Sequence, residues 1–439
     1  MPSTSLSFAS TREHRAFLET QSGLPAGFRV GSARITFEPA EVCGTATMNL
    51  ALLALAKPTP SFALKLTRNA FPGAPIVIGK RRLSAPRLGA VVVNTKISNV
   101  CAPGGVESAE RVCAAAARAL SLRPDEVLPS STGVIGWQLP VDAMVEAMPV
   151  AVASMQATSV LPAAEAIMTT DLYPKVRRAE VGAGSLVGIA KGAGMIEPCL
   201  ATMLVFLLTD LDLARDGLRE ALDEAVETSF NRISVDSDTS TSDTVVLLAS
   251  GERPTRSTDE FRKALSRVCR DLAEDIVRNG EGVHHVIRVH VTGAPDRATA
   301  QGVGKAVVNS PLFQCAVNGN DPNVGRLLCA VGKYACSVSR PLDPARFSIR
   351  MGGELILENG LMRLDRRLEE RLAEHLRSAQ LYASLPPADG MTFRPPIAYP
   401  PHERSVEVEV DLRSGQESAE VLGADRSHEY ITENADYRS

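Results

Sequence analysis

The chain has 439 residues, 44% of them hydrophobic and 22% charged, with 47 Lys and Arg against 51 Asp and Glu for a net charge of −4 at pH 7. That length exceeds what one hydrophobic core usually fills, so two domains or two interlocked lobes are expected. No dense basic stripe follows a phosphate backbone, which excludes nucleic acid as a partner. The first residues, MPSTSLSFASTREHRAF, carry no basic start leading into an apolar block. No run of about 18 uncharged apolar residues occurs, so the sequence reads as soluble and cytoplasmic, with no membrane partner.

Short β-type runs come first, in GFRVGSARITF, SFALKLT, PIVIG and GAVVVN. In GGVESAERVCAAAARAL, Val106, Ala109, Val112, Cys113, Ala116 and Leu120 recur at three and four residues and predict an amphipathic helix. Next, KGAGMIEPCLA leads to Thr202, which stands before the apolar run MLVFLLTDL. A threonine in that place can cap a helix through its hydroxyl or serve as a nucleophile, and the spacing alone leaves both open. LDLARDGLREALDEAVETSF and TDEFRKALSRVCRDLAEDIVRNG are the strongest helices. In the second, Phe261, Leu265, Val268, Leu272 and Ile276 form one stripe that Asn279 and Gly280 stop. VVLLA, HVIRVHVTG, FSIRMGGELIL and SVEVEVDL read as strands. Helices grouped against sheets without strict βαβ alternation favour layered α+β packing over a doubly wound nucleotide fold. Residues 381 to 403 hold six prolines and read as a surface loop.

Several motifs fail on inspection. GAGMIEP lacks the third glycine of a dinucleotide fingerprint, and GVGKAV lacks the upstream glycine and hydroxyl residue of a P-loop, so both read as tight turns. His284 and His290 fall on one face of an expected strand with His285 on the other, and no carboxylate or cysteine completes a metal set. Asp236, Asp238 and Asp243 in DSDTSTSDT lack the glycine and distal glutamate of a calcium loop and read as a hydrogen-bonding turn. Eight scattered cysteines without a CxxC pair read mostly as buried small hydrophobes, and nothing beside Cys199 lowers its pKa to make a thiolate nucleophile.

Seven segments in order, LPSSTGVIG, AIMTTDLYPK, KGAGMIEPCLATML, FNRISVDSDTSTSDT, NGEGVHHVIRV, VVNSPLFQCAVNGNDPNVGR and ITENADYRS, resemble the ornithine acetyltransferase family of glutamate N-acetyltransferases, over about residue 60 to the C-terminus. The resemblance implies a layered α/β (α+β) sandwich of mixed sheets and helices in two lobes. It also implies a precursor that cuts itself between Ala201 and Thr202, giving an α chain of residues 1–201 and a β chain of residues 202–439. The two chains stay together and two copies associate as α2β2. The new α-amino group, with a pKa of about 7.7–8.0, then serves as general base for the Thr202 hydroxyl. Acetyl passes from N-acetylornithine to Thr202 and on to glutamate, with no cofactor and no metal.

By the same resemblance Thr132 and Gly133 supply the oxyanion donors. Thr169, Lys191, Thr202, Glu281, Asn434 and Ser439 contact the amino-acid substrates, and Thr170 shares the place of Thr169. Lys191 suits an α-carboxylate and Glu281 an ammonium. Without the resemblance, Glu281 reads as a solvated residue after a helix stop and Asn434 as part of a frayed tail. NTKISNV departs from the family pattern, with Lys96 where a glycine is expected and Ile97 where an asparagine is, and Val324 stands in place of a tryptophan. These departures leave room for a related acyltransferase or amidase with another donor or acceptor.

Overall fold

The computed structural model describes residues 6–197, 203–338, 342–382 and 404–435. They form two compact units, a larger one of His14–Asn231 with Asp238–Ile276 and a smaller one of Met1–Glu13, Arg232–Ser237 and Val277–Ser439. The two-lobed α/β expectation holds. The proline-rich stretch from 383 onward, Cys199, Ala201, Thr202 and Ser439 lie outside the described residues.

The larger unit holds two sheets. One runs Phe28–Phe37, Ala46–Thr59, Leu88–Asn94, Val127–Ser131 in spatial order; the other runs Phe62–Leu66, Thr244–Arg253, Leu204–Leu211, Gly184–Lys191, Lys175–Val181. Both mix parallel and antiparallel pairs. Side chains alternate across each strand. Val91 and Val93 face inward to meet Val187, Ile189, Phe206 and Leu208 of the other sheet, while Ala90 and Val92 face outward to the helices Gly105–Leu120 and Val141–Ala153. On the far side the helix Thr258–Arg278 lies so close that a Cβ at Gly188 would stand 2.8 Å from Leu272. The result is helix, sheet, sheet, helix, with each central strand buried on both faces.

That double burial accounts for the departures from expectation. MLVFLLTDL holds the strand Leu204–Leu211, every residue of it buried, so this apolar run is a strand and not the helix that a capping threonine would precede. An apolar run of this length has no polar face to reveal its period. PIVIG, expected as a strand, lies in the helix Ala74–Arg82, where Pro75 in the first turn presets the helical φ. The sequence reading passes over Ala46–Thr59 altogether, a long strand rich in Leu and Ala.

The smaller unit carries one seven-stranded sheet, in the order Leu361–Met362, Glu354–Glu358, Ser348–Met351, Val406–Asp411, Val286–Ala294, Glu417–Ala424, Ile233–Ser234. One face packs under the helices Arg297–Val308, Pro311–Asn318, Val324–Ala335 and Arg366–Ala379 through Val289, Val291, Val303, Val307, Leu372, Val408 and Val421. The opposite face is polar, with Arg288 bonded to Glu420 at 2.9 Å and His290 between Glu407 and Glu420. This is the one-sided burial that gives clean alternation in HVIRVHVTG and SVEVEVDL.

GVGKAV is no turn: it belongs to the helix Arg297–Val308. Its glycines allow close approach, since a Cβ at Gly304 would meet Val421 at 2.5 Å and one at Gly302 would overlap Tyr334. His284 and His285 precede the strand Val286–Ala294 and are buried, so the expected two-faced arrangement of the three histidines does not form. His285 Nδ1 pairs with Asp425 at 2.9 Å. Of the seven described cysteines only Cys113 and Cys269 are buried, against the expectation for most of them. Among the described residues no group of three or more His, Cys, Asp or Glu could hold a metal ion. No described helix is long and apolar enough to cross a membrane.

Candidate active site

Where the strand Leu88–Asn94 ends, the chain turns through residues 95 to 101 with Lys96, Asn99 and Cys101 all at positive φ. Asn94 anchors this loop: its Nδ2 donates to the Ile97 carbonyl at 2.8 Å, and its Oδ1 accepts from Ser131 Oγ at 2.6 Å. Backbone bonds join the loop to the turn after Val127–Ser131. Thr132 N donates to Asn94 O (3.1 Å), Val134 N to Lys96 O (2.8 Å) and Ser98 N to Val134 O (3.0 Å). Gly133 takes φ 128°, and a Cβ there would stand 2.2 Å from the Lys96 carbonyl carbon, so only glycine fits.

The lysine that replaces an expected glycine therefore leaves the backbone left-handed, at φ 70°. Its side chain is exposed, with Nζ 5.9 Å from the centre of the Trp137 ring.

Against this turn lies Lys191, the last residue of the strand Gly184–Lys191. Its ammonium donates to Thr132 Oγ1 at 3.2 Å, and Lys191 and Thr132 are only 3% and 2% exposed. Burying an ammonium requires compensation, and Asp171 provides it. Its Oδ1 accepts from Lys175 Nζ and from Gly192 N at 2.8 Å, and its Oδ2 accepts from Thr169 N at 3.0 Å. Burial opposes ionisation of Asp171. The charges of Lys175 and Lys191, with the Gly192 N–H, outweigh it and hold the carboxyl well below the usual carboxylate range. Thr169 and Thr170 sit just before this carboxylate with exposed side chains.

Lys191 and Leu204 are paired across adjacent antiparallel strands, so residues 192–203 join two neighbouring strand ends. On the Leu204 side, Met203 N donates to Asp243 Oδ1 at 2.8 Å. Asp243 is fully buried and its Oδ2 has no partner among the described residues; the nearby Thr67 hydroxyl donates to Ser240 O at 2.7 Å instead. Burial pushes this carboxyl well above its usual range in spite of the Met203 N–H and Lys191.

In the smaller unit Asn434 is not in a frayed tail. It lies in the helix His428–Ala435, and its Nδ2 donates to Glu281 Oε2 at 2.9 Å and to Tyr430 O at 3.0 Å. Ser427 fixes that helix to the turn of Glu281, donating to Gly282 O at 2.6 Å and accepting from Tyr430 N at 3.1 Å.

The structure thus brings together Thr132, Gly133 and Lys191 in one unit and Glu281 with Asn434 in the other. Asp171, Lys175 and Asn94 escape sequence reasoning, and the buried acid Asp243 is read from sequence only as part of a hydrogen-bonding turn. Asp171 stands in the quoted TTD segment, but no local pattern distinguishes a carboxylate that neutralises two buried ammoniums.

A hydroxyl and a glycine in a rigid turn, backed by a buried cation, are the equipment of acyl transfer, where charge develops on a carbonyl oxygen. Residues 38–439 match the model of the ArgJ family. The arginine biosynthesis bifunctional protein ArgJ of Thermus thermophilus is 37% identical over 419 residues, 94% of this chain and 98% of that one. The glutamate N-acetyltransferase Oat2 of Streptomyces clavuligerus is 36% identical over 417 residues, again 94% and 98%. A crystal structure of the arginine biosynthesis bifunctional protein ArgJ of Bacillus halodurans covers 53% of this chain and 98% of its own at 31% identity, with a TM-score of 0.44. The chain belongs to the ArgJ family, and it is an acyltransferase.

Proposed function

We infer that this chain is a glutamate N-acetyltransferase that moves the acetyl group of N-acetylornithine to glutamate. The observation that carries the reading is the Thr132–Gly133 turn held rigid against Lys191, in a chain similar over 94% of its length to a glutamate N-acetyltransferase.

The nucleophile is Thr202, freed as an N-terminus by self-cleavage after Ala201. The α chain is then 1–201 and the β chain 202–439. The cut falls between strands that remain bonded, because Gly184–Lys191 pairs with Leu204–Leu211 along six residue pairs, so the two chains stay associated. Two such αβ pairs form an α2β2 particle. The Thr202 amine, near its ordinary pKa of about 7.7–8.0, takes the hydroxyl proton. Thr202 Oγ attacks the acetyl carbonyl and ornithine leaves with a proton returned by that amine. The acetyl ester is then captured by the amine of glutamate, and no cofactor enters the balance. Thr132 and Gly133 stabilise the oxyanion. Thr169, Glu281, Asn434 and Ser439 contact the amino acids. Five exposed, unpaired cysteines suit a reducing compartment, and we place the enzyme in the cytoplasm.

Mass spectrometry of purified protein, with and without N-acetylornithine, tests this reading. Two chains, with an acetyl adduct on the one beginning at Thr202, are expected; one intact, unmodified chain would refute it. A second reading keeps the chemistry and changes the donor or acceptor. The exposed ammonium of Lys96 beside Trp137 favours it, and a panel of acylated donors and amine acceptors separates the two.

A further inference from the structure

A lysine ammonium has three donors and no acceptor, whereas a threonine hydroxyl has one proton and two lone pairs. Lys191 donates to Thr132 Oγ1, so the hydroxyl proton cannot point back at the lysine. The backbone N–H of Thr132 is already spent on Asn94 O. The hydroxyl is therefore the donor that Thr132 has left to offer.

The ammonium behind it is buried beside a second lysine and an acid. Lys191 and Lys175 both act on the carboxylate of Asp171, whose oxygens accept from Lys175, Gly192 N and Thr169 N. The Lys191 ammonium acts on that hydroxyl in a buried place, where its field is strongest.

We propose that Lys191 is a positioning residue of the oxyanion site, its ammonium forcing the Thr132 hydroxyl to present its own proton to the tetrahedral oxygen. This rests on the acetyl-transfer reading above and gives Lys191 a duty other than gripping a substrate carboxylate. In the step concerned, the bond from Thr202 Oγ to the acetyl carbon forms while the carbonyl π pair moves onto oxygen, and the Thr202 hydroxyl proton passes to its amine. The new oxyanion accepts from Thr132 Oγ1–H. Its collapse breaks the acetyl C–N bond, and the proton held by the amine leaves with ornithine.

The test compares Lys191→Met, Lys191→Arg, Thr132→Val and the double variant Lys191→Met/Thr132→Val as two-chain protein. It measures kcat and KM for N-acetylornithine with glutamate as acceptor. Lys191→Met should lower kcat by about tenfold or more with KM changed by less than about threefold, and Lys191→Arg should recover most of the loss. Thr132→Val should cost about 10²–10³ in kcat, and adding Lys191→Met to it should cost less than about threefold more.

A raised KM at unchanged kcat in Lys191→Met, or losses that multiply in the double variant, would overturn the proposal. If Lys191→Met does not accumulate as folded two-chain protein, Lys191→Gln supplies the same split between kcat and KM. Failure of the wild type to transfer acetyl would remove the functional reading itself. An active wild type with an unimpaired Lys191→Met would remove this inference alone.

Discussion

Thr132 with Lys191 in the larger unit and Glu281 with Asn434 in the smaller are both hydrogen-bonded polar pairs, yet they are built on opposite terms. The first is sealed, with both side chains almost without exposure and a buried carboxylate to neutralise part of the charge. The second is open, with Asn434 exposed on a short terminal helix that a serine fastens to a turn. A buried polar group must keep every partner or lose several kcal/mol, whereas an exposed one exchanges its bond for water at little cost. The difference separates a pair that must not move from one that can exchange its partners.

Substitution of Asp171 should break the sealed side most severely. Asp171→Asn leaves two buried ammoniums without their carboxylate and should cost about 3–5 kcal/mol in denaturant unfolding. Its pH dependence has a definite sign. The folded carboxyl titrates below its unfolded value of about 3.9, so its contribution is present above that pH and is lost as pH falls further. The acid limb of the wild-type stability curve should therefore be steeper than that of Asp171→Asn.

Gly133→Ala comes next. The left-handed φ and the clash with the Lys96 carbonyl must displace the turn, and kcat should fall by about 10²-fold or more while the far-ultraviolet spectrum is retained. An active Gly133→Ala enzyme would show that the turn holds no oxyanion.

A gain is expected at Asp243, where a folded carboxyl raised by burial favours the protonated form. Such a group supports the fold most fully below about pH 3.9 and progressively less as pH rises toward its folded pKa. Asp243→Asn keeps an acceptor for Met203 N–H and removes the titration. Its melting temperature should exceed that of wild type by more at pH 8 than at pH 5. A constant difference across that range would mean the acid is ionised in the fold.

The smallest effect on stability falls on the open pair. Asn434→Ala should leave the unfolding midpoint within about 0.5 kcal/mol of wild type, as surface changes usually do, while raising KM for the amino-acid substrates. A large loss of stability there would erase the contrast between the two pairs.

How much of this was legible in the sequence follows from burial. The helices Gly105–Leu120, Arg215–Glu227 and Thr258–Arg278 each keep a polar face, so their period shows. Val286–Ala294 and Val406–Asp411 are covered on one side only and alternate visibly. Leu204–Leu211 and Ala46–Thr59 bury both faces over most of their length and lose the signal. At the site, Thr132, Gly133, Lys191, Glu281 and Asn434 were reached through resemblance, and the hydrogen bonds between them came only with the fold. Asp171 had no local mark, and Asp243 showed only as part of a hydrogen-bonding turn: what lowers the pKa of one and raises that of the other is the set of residues brought around each from elsewhere in the chain.

The left-handed lysine at position 96 has a wider implication. Residue 96 does not choose its own conformation: the Asn94 amide and the Val134 and Ser98 backbone bonds draw the loop around it. A lysine can therefore occupy a place suited to glycine for about 1–2 kcal/mol of strain. The path of the main chain and the charge this loop displays are thereby decoupled. Charge on this loop can be exchanged, one residue at a time, without redrawing the frame that holds Thr132 and Gly133.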